Sequence, residues 1–101
     1  MIQVVNSKHH VPNGTDIEIY IGRGSPLGNP YRINHRTTRE EAIAKYAEYL
    51  PEKIKAKDKP ICRELNLIWR MAKRGNVNLV CFCKPEACHG DVIKKLVEEK
   101  L

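Results

Sequence analysis

Long hydrophobic runs are missing from this chain of 101 residues. No apolar stretch approaches the ~18 residues that cross a bilayer, so no membrane partner is expected. No basic, apolar and small-residue cleavage pattern opens the chain, so secretion is not expected either. Internal repeats, heptads and low-complexity tracts are absent, which removes solenoids, coiled coils and fibrous or disordered classes. Aromatics are scarce, at four Tyr, one Trp and one Phe. Of these, Tyr46, Trp69 and Phe82 read as core. A basic stripe interleaved with exposed aromatics, the mark of a single-strand nucleic-acid binder, is therefore not legible.

What remains has the size and composition of one small globular domain, spanning 1–101. Eighteen Lys and Arg against twelve Asp and Glu give a net charge of +6. The excess lies in the N-terminal third and in Arg63, Arg70, Lys73 and Arg74. A basic surface attracts phosphates, whether on nucleic acid or on small nucleotides. Cys62, Cys81, Cys83 and Cys88 are the four cysteines. With a core and no secretory signal, they read as free thiols in a reducing, cytoplasmic setting.

The apolar pattern predicts elements in the order β-β-α-α-β-α. Met1–Asn6 is a short strand, and residues 7–15 form a loop around Pro12, Asn13 and Gly14. Asp16–Ile21 alternates, with Ile17, Ile19 and Ile21 on one face, as a half-buried strand does. Thr38 and Glu41 fit a capping box that opens a helix carrying Ala42, Ile43, Tyr46, Ala47 and Leu50 inward. Pro51 is expected to end or redirect it, leaving residues 51–60 as an exposed connection. Pro60 suits the first turn of a second helix, striped by Ile61, Leu65, Ile68 and Ala72 and stopped at Gly75. Val77–Cys83 is nearly continuous in apolar residues and reads as a central strand buried on both faces. Lys84–Ala87 is a short loop, and a last helix follows from about Cys88 to Leu101. This is a small α/β layered fold with a short mixed or partly parallel sheet and about three helices.

Two segments carry candidate chemistry. The first, Gly22–Pro30, holds three glycines and two prolines in nine residues, so it is a shaped loop. Its amides at Gly22, Gly24 and Gly28 can approach an anion, and Arg23 offers a two-pronged fork for phosphate. Ser25 and Asn29 add hydrogen-bonding groups. Leu27 stands where a dinucleotide fingerprint needs its third glycine, and the loop is not a Walker A sequence. A plain structural turn is the competing reading.

The second segment is the strand-to-helix junction Cys83–Asp91. Cys88 and His89 would open the last helix, where unpaired amides near Gly90 and Asp91 and the helix dipole favour anions and lower a thiol pKa. Three readings stand side by side. Cys83 or Cys88 acts with His89 as acid or base, and Asp91 orients the imidazole or complements the helix N-terminus. Alternatively Cys83, Cys88 and His89 bind a metal, with Cys81 or His35 as the fourth ligand. In the third reading the cysteines are buried small residues and His89 is a hydrogen-bonding cap. A zinc domain lacks its second ligand pair, since the adjacent His9 and His10 point apart. His89 also replaces the arginine that a Cys-x5-Arg phosphatase requires. No cofactor is named by any motif.

Tyr20-Ile21-Gly22-Arg23, Leu27-Gly28-Asn29-Pro30-Tyr31, Arg39-Glu40-Glu41-Ala42, Leu79-Val80-Cys81-Phe82-Cys83-Lys84-Pro85 and Cys88-His89-Gly90-Asp91-Val92 together resemble a small domain family common in phages and bacteria. That family is catalogued as a domain of unknown function, and the resemblance covers about residues 19–97. A looser similarity runs to another uncharacterised bacterial family whose junction ends Cys-His-Arg. Gly90 stands in place of that arginine here. The resemblance implies a plausibly phage-encoded protein in which Arg23, Asn29, Cys83, Cys88, His89 and Asp91 form one site, with no activity attached. The expected ligand is small and phosphorylated or nucleotide-like, and the protein is either a binder or an enzyme acting on it. The alternatives are a non-catalytic nucleic-acid or protein-interaction module and a structural zinc-binding domain.

Overall fold

The computed structural model describes residues 1–82 and 88–101. Three strands, β1 (Ile2–Asn6), β2 (Ile17–Tyr20) and β3 (Val77–Cys81), form one sheet in the order β1-β3-β2. Both pairings are parallel, with Val4 and Ile19 flanking Leu79. The expected α/β fold and element order are present, and the sheet is wholly parallel where a mixed one was also allowed. Three helices complete the described residues: α1 (Arg39–Lys55), α2 (Lys59–Arg74) and α3 (His89–Glu98). None of the helices is long and apolar enough to cross a membrane, among the described residues.

Strand alternation sorts the side chains by face. Ile2, Ile19, Val77, Leu79 and Cys81 all point one way and are buried. They meet Tyr46 and Leu50 of α1, Ile61, Leu65 and Ile68 of α2, and Ile93 and Val97 of α3 in a single core. The helices therefore cover one face only. Parallel strands also oblige the ten-residue link between β1 and β2 to return from the carboxyl to the amino edge of the sheet. It passes the other face, where His10 contacts Glu18 at 2.7 Å and Asn78 donates to Glu18 at 2.6 Å. The expectation that β3 is apolar-packed on both faces is thus corrected: Asn78 is buried in a polar cluster, with its Oδ1 lacking a partner among the described residues. The strand also ends at Cys81, and the stretch expected to continue it includes Cys83, which lies outside the described residues.

Thr38 caps α1 as expected, its hydroxyl accepting from the Glu41 amide at 3.2 Å. Pro51 does not end the helix. Tyr46, Leu50 and Ile54 continue the buried stripe at four-residue spacing, and that packing outweighs the one backbone hydrogen bond a proline removes. The real stop is Lys57, at φ 59°. Its amide reaches the Ile54 carbonyl at 3.0 Å and the Asp58 amide reaches Lys53 at 3.0 Å, the paired bonds of a Schellman motif. Asp58 then caps α2, with Pro60 in its first turn. The last helix begins one residue later than expected, with Cys88 as its N-cap.

Candidate functional site

Because β2 and β3 are parallel, the segments that follow them emerge at the same edge of the sheet. Ligands of open α/β sheets bind at this carboxyl edge. A cleft of about 410 Å3 lies there. Gly22, Arg23 and Asn29 of the glycine loop line it together with Cys88 and His89 of the junction. The two motifs that stood apart in sequence thus share one cavity.

His89 is 7% exposed, and its Nε2 lies 2.7 Å from the Ile21 carbonyl. A carbonyl can only accept, so Nε2 carries the hydrogen and Nδ1 is the nitrogen left for a ligand. The ring is steadied edge-on by Tyr46, with centroids 5.1 Å apart. Tyr46 is fully buried and donates to the Leu27 carbonyl at 2.8 Å. Burial, with Tyr49 adding to it, pushes the Tyr46 hydroxyl well above the ordinary tyrosine range, so it stays a donor. One α1 residue therefore anchors the glycine loop and His89 together. Nothing in its spacing distinguished Tyr46 from any other core residue.

Cys88 is 2% exposed and its Sγ lies 3.5 Å from that of Cys81. Cys62 is a free thiol, and Cys83, the fourth cysteine, lies outside the described residues. Asp91 points away from the cleft: its Oδ2 accepts from the Cys88 amide at 3.2 Å. It shapes the start of α3, and the imidazole is held by Ile21 instead.

Ser25, Gly24 and Gly28 of the loop build the cavity without lining it, as does Gly90 of α3. Ser25 donates to the Gly22 carbonyl at 2.7 Å, and the Gly28 amide reaches Ser25 at 3.0 Å. A Cβ at Gly28 would fall 2.8 Å from the Gly22 oxygen. Gly24 takes φ +93°, a conformation open to glycine. Gly90 lets α3 press onto the sheet, since a Cβ there would come within 2.8 Å of Val4. Asn29 braces the wall, donating to the Ala42 carbonyl at 3.3 Å and accepting from the Tyr31 amide at 2.9 Å.

Arg32, Arg39 and Phe82 are among the lining residues that the sequence reading did not assign to the site. Arg32 and Arg39 line the same cleft as Arg23. Arg23 and Arg32 have no ion-pair partner among the described residues, and no described acidic side chain lines the cleft. Phe82, expected in the core, is 56% exposed at the cleft mouth. Val80 and Phe82 alternate onto the face that lacks helices, and a run of apolar residues alone could not show that. Trp69, also expected in the core, is only half-buried.

A family model described as a domain of unknown function (DUF4326) matches residues 4–99. The chain belongs to that family. No curated protein and no solved structure matches it. The family match spans both cleft-lining motifs, and it names no ligand or reaction. Among the described residues no group of three or more His, Cys, Asp and Glu is arranged to hold a metal ion. A second hollow, about 480 Å3, lies between α2 and α3. Leu65, Trp69, Leu96 and Val97 make it apolar, and it is remote from the carboxyl edge.

Proposed function

We propose that this domain binds a small phosphorylated ligand in the cleft at the carboxyl edge of the sheet. The observation that carries the reading is the pairing of two guanidinium groups, Arg23 and Arg32, each without an ion-pair partner among the described residues, on a cavity with no described acidic lining. Unbalanced arginines facing a concave surface favour an anion, and a guanidinium cannot shed its proton to escape the charge. The start of α3 adds the positive end of its dipole and the amides of His89 and Gly90, while the Asp91 amide is taken by the Cys88 carbonyl at 3.1 Å. His89 Nδ1 supplies one further contact, as acceptor when neutral and as donor when protonated.

Titration calorimetry with inorganic pyrophosphate tests the reading. Wild type should bind, and Arg23→Ala should weaken binding by roughly tenfold or more, the scale of a lost charge-assisted hydrogen bond. Arg23→Lys should recover only part, because the fork is lost. Arg23 is exposed, so thermal unfolding of all three proteins without ligand should coincide. An Arg23→Ala protein that is already unfolded makes Arg23 a structural clasp and ends the proposal.

A second reading, chemistry on the bound ligand by Cys88 with His89, has in its favour that both line the same cleft. Cys83, the other nucleophile weighed from sequence, lies outside the described residues. Binding alone predicts that a bound phosphate ester is recovered intact after long incubation. Chemistry at Cys88 predicts product that disappears in Cys88→Ser.

A further inference from the structure

We infer that the phosphorylated ligand carries a flat nucleobase, stacked in the corner formed by Tyr20 and Phe82 at the cleft mouth. The inference rests on the anion reading above and specifies the ligand class. The chain has only six aromatic residues. Tyr20 and Phe82 are nevertheless 43% and 56% exposed, side by side. Their ring centroids are 6.2 Å apart at an interplanar angle of 71°. A base laid flat on one ring meets the other edge-on, and both arrangements are favourable for π systems.

The Tyr20 ring is held in place before any ligand arrives. Its hydroxyl donates to the Arg23 carbonyl at 2.9 Å. The ring lies directly over Gly22, where an added Cβ would come within 2.5 Å of the hydroxyl oxygen and 2.7 Å of the ring edge. Only a glycine lets the ring lie so close. An exposed aromatic fixed at both ends has already lost its rotamer freedom, so stacking on it costs little ordering entropy. The same hydrogen bond ties the ring to the backbone of the residue whose guanidinium serves the phosphate. Tyr20, Gly22 and Arg23 thus present a stacking surface and a phosphate fork within four consecutive residues. The cleft volume of about 410 Å3 falls in the ~300–1,000 Å3 range of small-ligand sites.

The probes are inorganic pyrophosphate, ribose 5-phosphate and adenosine 5′-monophosphate, titrated into wild type and Phe82→Ala. Base stacking contributes enough that the adenosine nucleotide should bind about tenfold or more tighter than ribose 5-phosphate. Phe82→Ala should shrink that ratio and leave pyrophosphate binding unchanged. Phe82→Trp should keep or raise the ratio, which a purely structural role for Phe82 would not do. A pentanucleotide with a 5′-phosphate separates the two sources of such a unit. Competition at equal concentration assigns a strand end, and its failure assigns the free nucleotide. If ribose 5-phosphate and the nucleotide bind equally, the base inference is overturned and the anion reading stands. If pyrophosphate and ribose 5-phosphate both fail to bind wild type, the reading beneath it falls as well.

Discussion

Glycines that look alike in sequence have opposite jobs in this molecule. Gly22 makes room for an exposed ring, whereas Gly90 makes room for the core. A Cβ at Gly90 would meet Val4 at 2.8 Å and Ile21 at 2.9 Å. Val4 is β-branched and stiff, so Gly90→Ala forces overpacking that costs about 1–3 kcal/mol, offset in part by the better helix propensity of alanine. A net loss of about 1 kcal/mol in denaturant unfolding is expected, with pyrophosphate affinity nearly unchanged. At Gly22 the obstructing group is the Tyr20 ring, which can swing into solvent. Gly22→Ala should therefore cost little stability and should lower nucleotide affinity by loosening the ring. Equal stability losses in the two variants would show that Tyr20 is not the yielding partner. At this scale the sequence marked candidate residues but not which of them line the cleft. Arg23, His89 and Cys88 were legible from residue type and position. Asp91, Ser25, Gly24, Gly28 and Gly90 carried the same signals and do not line the cleft, because local motifs do not reveal which way a side chain points. Arg32, Phe82 and the brace at Tyr46 were hidden for the same reason.

Among the elements, helix α1 shows where local rules lose to packing. Pro51 is a strong breaker, yet the buried stripe Tyr46, Leu50 and Ile54 carries the helix past it. The stop then falls on a lysine, the residue type that hid it. Lys57 sits in the left-handed region at φ 59°, at the position of the Schellman motif that glycine usually fills. A side chain there costs about 1 kcal/mol relative to glycine. Lys57→Gly should accordingly stabilise the domain, by no more than about 0.5 kcal/mol once the larger chain entropy of glycine in the unfolded state is deducted. The midpoint of urea unfolding should rise with an unchanged slope. A fall in the midpoint would mean that the lysine side chain makes contacts outweighing the strain. Elsewhere the signals agreed with one another: Thr38 and Asp58 cap α1 and α2, and Pro60 follows the second cap. Where cap, breaker and stripe concur, the sequence is readable. Where a stripe overrides a breaker, only the packed core decides.

For the whole molecule, strand direction is what turns two motifs into one site. Parallel β2 and β3 put the glycine loop and the α3 junction at one edge, and sequence alone could state this only as a condition. Charge acts at the same scale and gives an opposed pair of slopes. The net charge of +6 makes the folded state repel itself, because folding brings the basic groups closer than they are in the extended chain. Sodium chloride screens this repulsion, its Debye length falling from ~30 Å at 0.01 M to ~10 Å at 0.1 M. The unfolding temperature should therefore rise with added sodium chloride over that range. Binding of pyrophosphate should move the other way, since the attraction of Arg23 and Arg32 for the anion is screened by the same ions. Both can be read in one set of thermal scans at fixed pH, with and without pyrophosphate. The ligand-induced shift should shrink as the ligand-free midpoint climbs. Were the shift independent of salt, pyrophosphate would be held by hydrogen bonds from neutral groups, and the arginines would be spectators. Were the ligand-free midpoint to fall instead, attractive ion pairs would dominate the fold, and the excess of basic groups would not be what opposes its compaction.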